Sequence, residues 1–218
     1  MKAVIFDLDD TLFDHTTSAT TAIRTWVPTL GAAFSDDLIT RWFEIERVQY
    51  DRWLTGQTSY QGQRRGRLRE FLPMLSVPVP RADDELDELF TGYLDSYRAS
   101  WSAFDDARPA LKVARSNGWR IGVLTNGSTV QQNNKLAAIG LAELVDVVCT
   151  TETLGCSKPT PEVYLLTCEA LGVEPTDALM IGDNLELDVL GARAAGLTAE
   201  HLDRAGGITL AQLVRSTS

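Results

Sequence analysis

The chain has 218 residues, of which 44% are hydrophobic and 23% charged, enough apolar material to bury a core in one large or two small globular domains. Thirty Asp and Glu against twenty Lys and Arg give a formal charge of −10, which argues against nucleic-acid polymers and anionic membranes as partners and requires a local positive site for any anionic ligand. No run approaches a membrane span, the N-terminal apolar run is too short for a signal peptide, and the three cysteines lack a CxxC pair, so a cytoplasmic protein with reduced thiols is expected.

The first expected strand, residues 3–6, runs directly into Asp7, Asp9, Asp10 and Asp14, four carboxylates in eight positions. From about 15 to 102 there is no strand-like run. Ala19, Ala22, Ile23, Trp26, Val27 and Leu30 form a helical stripe that Pro28 should kink or end. Ser35 followed by two Asp opens a second helix, and Thr58 with Gln61 resembles a capping box opening a third. Leu86, Leu89, Phe90, Tyr93, Leu94 and Tyr97 repeat the stripe. The five tryptophans are expected to pack. An apolar stripe through Leu68, Phe71, Leu72 and Leu75 extends back over Arg64 and Arg65, which are expected to pair with acids such as Glu44 or Glu46; the alternative is contact with an anionic part of a ligand.

Beyond residue 102 the pattern alternates. Helices are expected at 107–116, 129–139, 161–171 and 186–195, the last three stopping at Gly140, Gly172 and Gly196, and strands at 121–124, 145–149, 178–181 and 197–202. This predicts an α/β fold, a doubly wound parallel sheet with a Rossmann-like core over 1–14 and 103–218, interrupted by a helical domain over 15–102.

In such a sheet ligands sit beyond the carboxyl ends of the strands, where Asp7, Thr125, Asn126, the turn through Glu152 to Lys158, and Asp183 fall. Two strand-end acids in one crevice repel each other unless a hard cation joins them. Oxygen ligands without His or Cys favour Mg2+ over zinc, and with only His15 and His201 in the chain imidazole chemistry has little to work with. The site suits a phosphorylated substrate, with Asp7 attacking phosphorus and Asp9 moving protons to the leaving oxygen and from water. Asp9 shares the direction of Asp7 if the backbone stays extended, and Asp10 then points away. Thr125 offers a hydroxyl to the phosphoryl group, Asn126 stands beside it as a further candidate, and Lys158 supplies positive charge. Asp188 supports the metal or orients Asp183.

Four motifs occur in order: Asp7-Leu8-Asp9-Asp10-Thr11, Leu124-Thr125-Asn126-Gly127, Ser157-Lys158-Pro159 and Gly182-Asp183-Asn184-Leu185-Glu186-Leu187-Asp188. They resemble the haloacid dehalogenase-like phosphohydrolase superfamily across the whole core. The resemblance implies a nucleophile at Asp7, a general acid/base at Asp9, phosphate binders at Thr125 and Lys158, and Mg2+ held by Asp7, Asp183 and the Asp9 backbone carbonyl, with Asp188 acting directly or through water. It also implies that the insertion is a helical cap, and that the substrate is a small phosphorylated metabolite such as a nucleotide, a sugar phosphate or a phosphorylated acid. The protein is expected to act as a monomer or homodimer. A phosphomutase would share these residues. A haloacid dehalogenase shares the fold and Asp7 but has no need of a metal and typically no acid at the position of Asp9. A phosphate-sensing regulatory module would have no need of so large an insertion.

Overall fold

The computed structural model describes residues 1–216, which divide into two compact units, one of Met1–His15 with the described residues from Ser102 onward and one of Thr16–Trp101. In chain order, strand β1 is Ala3–Phe6, followed by helices α1 (His15–Trp26), α2 (Asp37–Leu54), α3 (Tyr60–Phe71) and α4 (Asp83–Ala99). Helix α5 (Ala107–Ser116), β2 (Arg120–Thr125), α6 (Thr129–Ala138), β3 (Val147–Thr150), α7 (Thr151–Leu154) and α8 (Pro161–Leu171) come next. The chain ends with β4 (Ala178–Gly182), α9 (Gly191–Ala194), β5 (Thr198–His201) and α10 (Leu210–Ser216).

The five strands form one parallel sheet in the order β3-β2-β1-β4-β5, as the alternation of apolar runs and helical patterns predicts. Both faces of the sheet are covered. Ala3, Ile5, Leu124 and Met180 join the α8 residues Val163, Tyr164, Cys168 and Leu171 in one buried cluster. The alternate residues Val4, Phe6, Ile121 and Val123 are equally buried, and α5 packs on β2 and α10. Period-two burial on both sides is why these strands read as continuous apolar runs. The chain runs outward from β1 through β2 to β3, then resumes on the other side of β1 with β4. The reversal falls between β1 and β4, and it brings the ends of β1, β2 and β4 side by side.

The other unit is helical. Pro28 ends α1, and a 3-10 turn, Val27–Leu30, closes on Gly31 in the left-handed region. The cap of α3 lies one residue later than expected. Ser59, not Thr58, is the N-cap, because its hydroxyl is the one that accepts the Gly62 N–H, at 2.9 Å. Trp26, Trp42, Phe71, Phe90 and Tyr93 stack into an aromatic core, with Trp42 and Tyr93 ring centroids 4.5 Å apart. Arg65 pairs with acids of this unit as expected, but not with Glu44 or Glu46. Arg65 bonds Asp83 and Asp87 of α4, Arg64 lies over the Tyr60 and Phe90 rings, and the arginine that meets Glu46 is the buried Arg67, at 2.6 Å. The reason is the helical turn: Arg67 lies beside the buried Leu68 on the face of α3 turned into this unit, whereas Arg65 lies towards α4. Among the described residues no helix is long and apolar enough to cross a membrane.

Candidate active site

Asp7 extends the β1 ladder by one hydrogen bond, its N–H donating to the Ile181 carbonyl at 2.9 Å. The backbone then leaves the extended conformation. Leu12 and Phe13 donate to the Leu8 carbonyl, Asp10 takes φ of 59°, and Asp9 bridges to Phe13. This turn overrides the extended geometry on which a common direction for Asp7 and Asp9 depends. Instead, the Asp9 carboxylate is met by α6: Lys135 Nζ donates to Oδ1 at 2.5 Å and Gln132 Nε2 to Oδ2 at 3.0 Å.

The strand ends bring Asp7, Asp183 and Asp188 together, with one oxygen of each within 4.8 Å of the others. Lys158 Nζ donates to Asp7 Oδ1 and to Asp188 Oδ1, both at 2.6 Å. Asp188 is buried on a π-helical turn, Leu185–Leu190, where an uninterrupted α-helix was expected. Asn184 caps this turn, accepting the Glu186 and Leu187 N–H groups, while its own N–H donates to Asp188 Oδ2 at 3.0 Å. The Tyr164 hydroxyl donates to the Leu187 carbonyl. Gly182 makes the approach possible, since a Cβ there would overlap the Asp188 carboxyl group. Asp183 is held by Thr11, whose hydroxyl donates to Oδ1 and accepts the Asp183 N–H, each at 3.2 Å, and by His201 Nε2, which donates to its carbonyl at 2.8 Å.

Three carboxylates beside one ammonium leave local negative charge unbalanced. Burial, with Asp188 and Asp183 beside it, pushes the Asp7 carboxyl well above the usual range despite Lys158. Burial, then Asp188 and Asp10, raises Asp183 to about 6. Burial disfavours the Lys158 ammonium, but Asp188 and Asp7 outweigh it and hold the amine above the usual lysine value. Burial alone would raise Asp9 too; Lys135 and then His15 overcome it, and this carboxyl is lowered. A cluster of hard oxygen donors carrying excess negative charge has the chemistry of a divalent-cation site, which Asp7, Asp183 and Asp188 fit.

Thr125, at the end of β2, is buried and accepts from Gln132 Nε2 at 2.6 Å. Asn126 turns its amide onto the backbone of Lys158, accepting the Lys158 N–H at 2.9 Å and donating to its carbonyl at 3.1 Å. Its side chain therefore splices the β2 loop to the lysine loop. Sequence reading gave no role to Gln132, Lys135 or Thr11. The available signal was two polar residues, Gln132 and Lys135, on the same helical face as the apolar Leu136.

The fold is a doubly wound parallel α/β sheet with three acids and a lysine converging at its carboxyl edge, where ligands of such sheets sit. A family model for haloacid dehalogenase-like hydrolases matches residues 1–196. Phosphatase MT3486 of Mycobacterium tuberculosis is 39% identical over 165 residues, 75% of this chain and 74% of that protein. Ribulose-1,5-bisphosphate 5-phosphatase of Halopiger xanaduensis is 32% identical over 204 residues, 92% of this chain and 84% of its own length. In fold the chain is similar to the crystal structure of YfnB from Bacillus subtilis bound to magnesium, with a TM-score of 0.80 at 21% identity over 93% of this chain and 88% of that one. The chain belongs to the haloacid dehalogenase-like hydrolases.

Proposed function

We propose that the protein is a Mg2+-dependent phosphatase that hydrolyses a small phosphorylated metabolite through an aspartyl-phosphate on Asp7. The observation that carries this reading is the joining of Asp7 and Asp188 to one buried ammonium, Lys158, with Asp183 beside them. Two phosphatases among the similar proteins support the same class.

In this reading an Asp7 oxygen attacks phosphorus while the ester P–O bond breaks, and Asp9 gives the departing oxygen a proton. Asp9 then takes a proton from water as that water attacks the phosphorus, which releases phosphate and restores Asp7. Thr125 offers its hydroxyl and Lys158 its charge to the phosphoryl oxygens. Asn126 fixes the Lys158 backbone, to which it is doubly bonded. Mg2+, held by Asp7, Asp183, Asp188 and the Asp9 carbonyl, would offset the repulsion between an anionic nucleophile and an anionic phosphoryl group. We read the Thr16–Trp101 unit as the cap that selects the leaving group.

A dehalogenase needs no metal and typically has no acid at the position of Asp9, so the acids present here favour phosphoryl transfer. The test is a screen of the purified protein over nucleotides, sugar phosphates and short phosphorylated acids, with Mg2+ and with chelator. Metal-dependent phosphate release that disappears in Asp7→Asn is expected. Chloride release from a haloacid without metal, in a protein inert towards every ester, would replace this reading with dehalogenation.

A further inference from the structure

Helix α6 carries two polar residues that the reaction above does not use. Gln132 and Lys135 stand three residues apart, on the same helical face, and each is 2% exposed or less. Burying an ammonium and a primary amide is costly unless their hydrogen bonds are met, and most of what meets them here belongs to the reaction machinery. Lys135 Nζ donates to Asp9 Oδ1 at 2.5 Å and lies 4.7 Å from the centre of the Phe13 ring, which sits in the same turn as Asp9. Gln132 Nε2 donates at once to Asp9 Oδ2, at 3.0 Å, and to the Thr125 hydroxyl, at 2.6 Å. Its path depends on Gly127, where a Cβ would come within 2.8 Å of Gln132 Cγ, Cδ and Nε2.

Resting on the phosphatase reading, we infer that Lys135 and Gln132 are positioning residues for proton transfer: together they hold both oxygens of Asp9, and Gln132 fixes that carboxylate relative to the phosphate-binding hydroxyl of Thr125. One oxygen held by a cation and the other by an amide leave the carboxyl group little freedom to rotate about its own axis. The shared amide makes Asp9 and Thr125 one unit, so the proton-transfer group keeps its place beside the phosphoryl group it serves. Neither residue need touch the substrate for this effect.

The experiment measures kcat and KM of the full chain with para-nitrophenyl phosphate and Mg2+ for wild type, Lys135→Met, Lys135→Arg, Gln132→Leu and Asp9→Asn, and for Lys135→Met combined with Asp9→Asn. Lys135→Met and Gln132→Leu should lower kcat about tenfold to a hundredfold, part of the full contribution of a general acid/base, with KM nearly unchanged. Lys135→Arg should recover part of the loss. In the Asp9→Asn background Lys135→Met should cost almost nothing more, because its effect travels through Asp9. Unchanged kcat in the single variants, a loss that appears in KM alone, or an undiminished further loss in the Asp9→Asn background would overturn the inference. If Lys135→Met does not fold, judged by circular dichroism, the same comparison of Gln132→Leu alone and combined with Asp9→Asn decides it. A wild type inert towards para-nitrophenyl phosphate and towards every ester of the screen above sinks the phosphatase reading itself, whereas an active wild type with indifferent α6 variants sinks only the inference.

Discussion

Lys158 Nζ lies 2.6 Å from Asp7 Oδ1, with both side chains almost fully out of solvent. The same ammonium reaches Asp188, so one cation stands against two buried anions. Lys158→Met should therefore destabilise the metal-free protein by about 3 kcal/mol or more, the usual cost of stripping a partner from a buried ion pair, and leave no measurable phosphate release. Urea denaturation checks the first outcome and a phosphate assay the second. Wild-type stability in Lys158→Met would mean that the ammonium is not what holds these acids together.

The raised carboxyl of Asp183 fixes the sign of a pH effect. An ordinary aspartate titrates near 4 in the unfolded chain, and this one near 6 in the folded protein. Between those values the folded state binds more protons than the unfolded, so this group's contribution to stability falls as pH rises through the window. Metal-free wild type should lose melting temperature between pH 4 and pH 7 relative to Asp183→Asn, which lacks the titrating group. Mg2+ should recover the loss at pH 7, where the carboxylates are charged, and do less at pH 4. Parallel melting curves for the two proteins across that range would refute the assignment.

Gly182→Ala introduces a Cβ into the space of the Asp188 carboxyl group. Because Asp188 is anchored both by Lys158 and by the Asn184 N–H, it has no easy retreat. A displacement of about 1 Å at such a site lowers turnover by roughly a hundredfold. We expect that loss in kcat together with weaker Mg2+ affinity, read by titration calorimetry. Normal turnover with normal metal affinity would show that the acid cluster tolerates rearrangement.

In the helical unit, two neighbouring arginines should behave differently. Arg67 is buried, bonds Glu46 at 2.6 Å and Gln63 at 2.8 Å, and lies near the Trp42 and Phe90 rings. Arg67→Ala should cost about 3 kcal/mol, because Glu46 loses its guanidinium in a place with little solvent. Arg65 grips Asp87 through two N–H groups and also reaches Asp83, but nearer to solvent, and Arg65→Ala should cost clearly less than Arg67→Ala. Calorimetric melts of the two variants make the comparison. Equal losses would mean that burial does not separate these ion pairs.

The parallel sheet was legible because fully buried strands must be apolar throughout, and residues 3–6, 121–124 and 178–181 have no other reading between their flanking helical patterns. The strand-end residues Asp7, Thr125 and Asp183 were legible for the same reason, since polar groups that interrupt such runs mark the sheet's carboxyl edge. Details that depend on which neighbour arrives first were not. Ser59 and Thr58 are chemically similar caps, and only the helix start shows which hydroxyl meets an N–H. The π-helical turn at Leu185–Leu190 carries the same apolar residues as an α-helix; its geometry fits a place where Asp188 reaches Lys158 and Leu187 offers its carbonyl to Tyr164.

Local periodicity was enough to determine the fold class and the acids at the strand ends, because these follow from what each segment must bury and what it cannot, while the family was legible only through the resemblance that four ordered motifs carry. The partners of those acids were decided only in three dimensions. Lys158 was already expected at the strand ends, but Lys135 lies 126 residues from Asp9, and no spacing in a chain encodes that it, of twenty Lys and Arg, will be carried to that carboxylate. Packing of α6 and the lysine loop against the sheet makes that choice, since a buried charge must find its counterion among the groups the fold brings within reach.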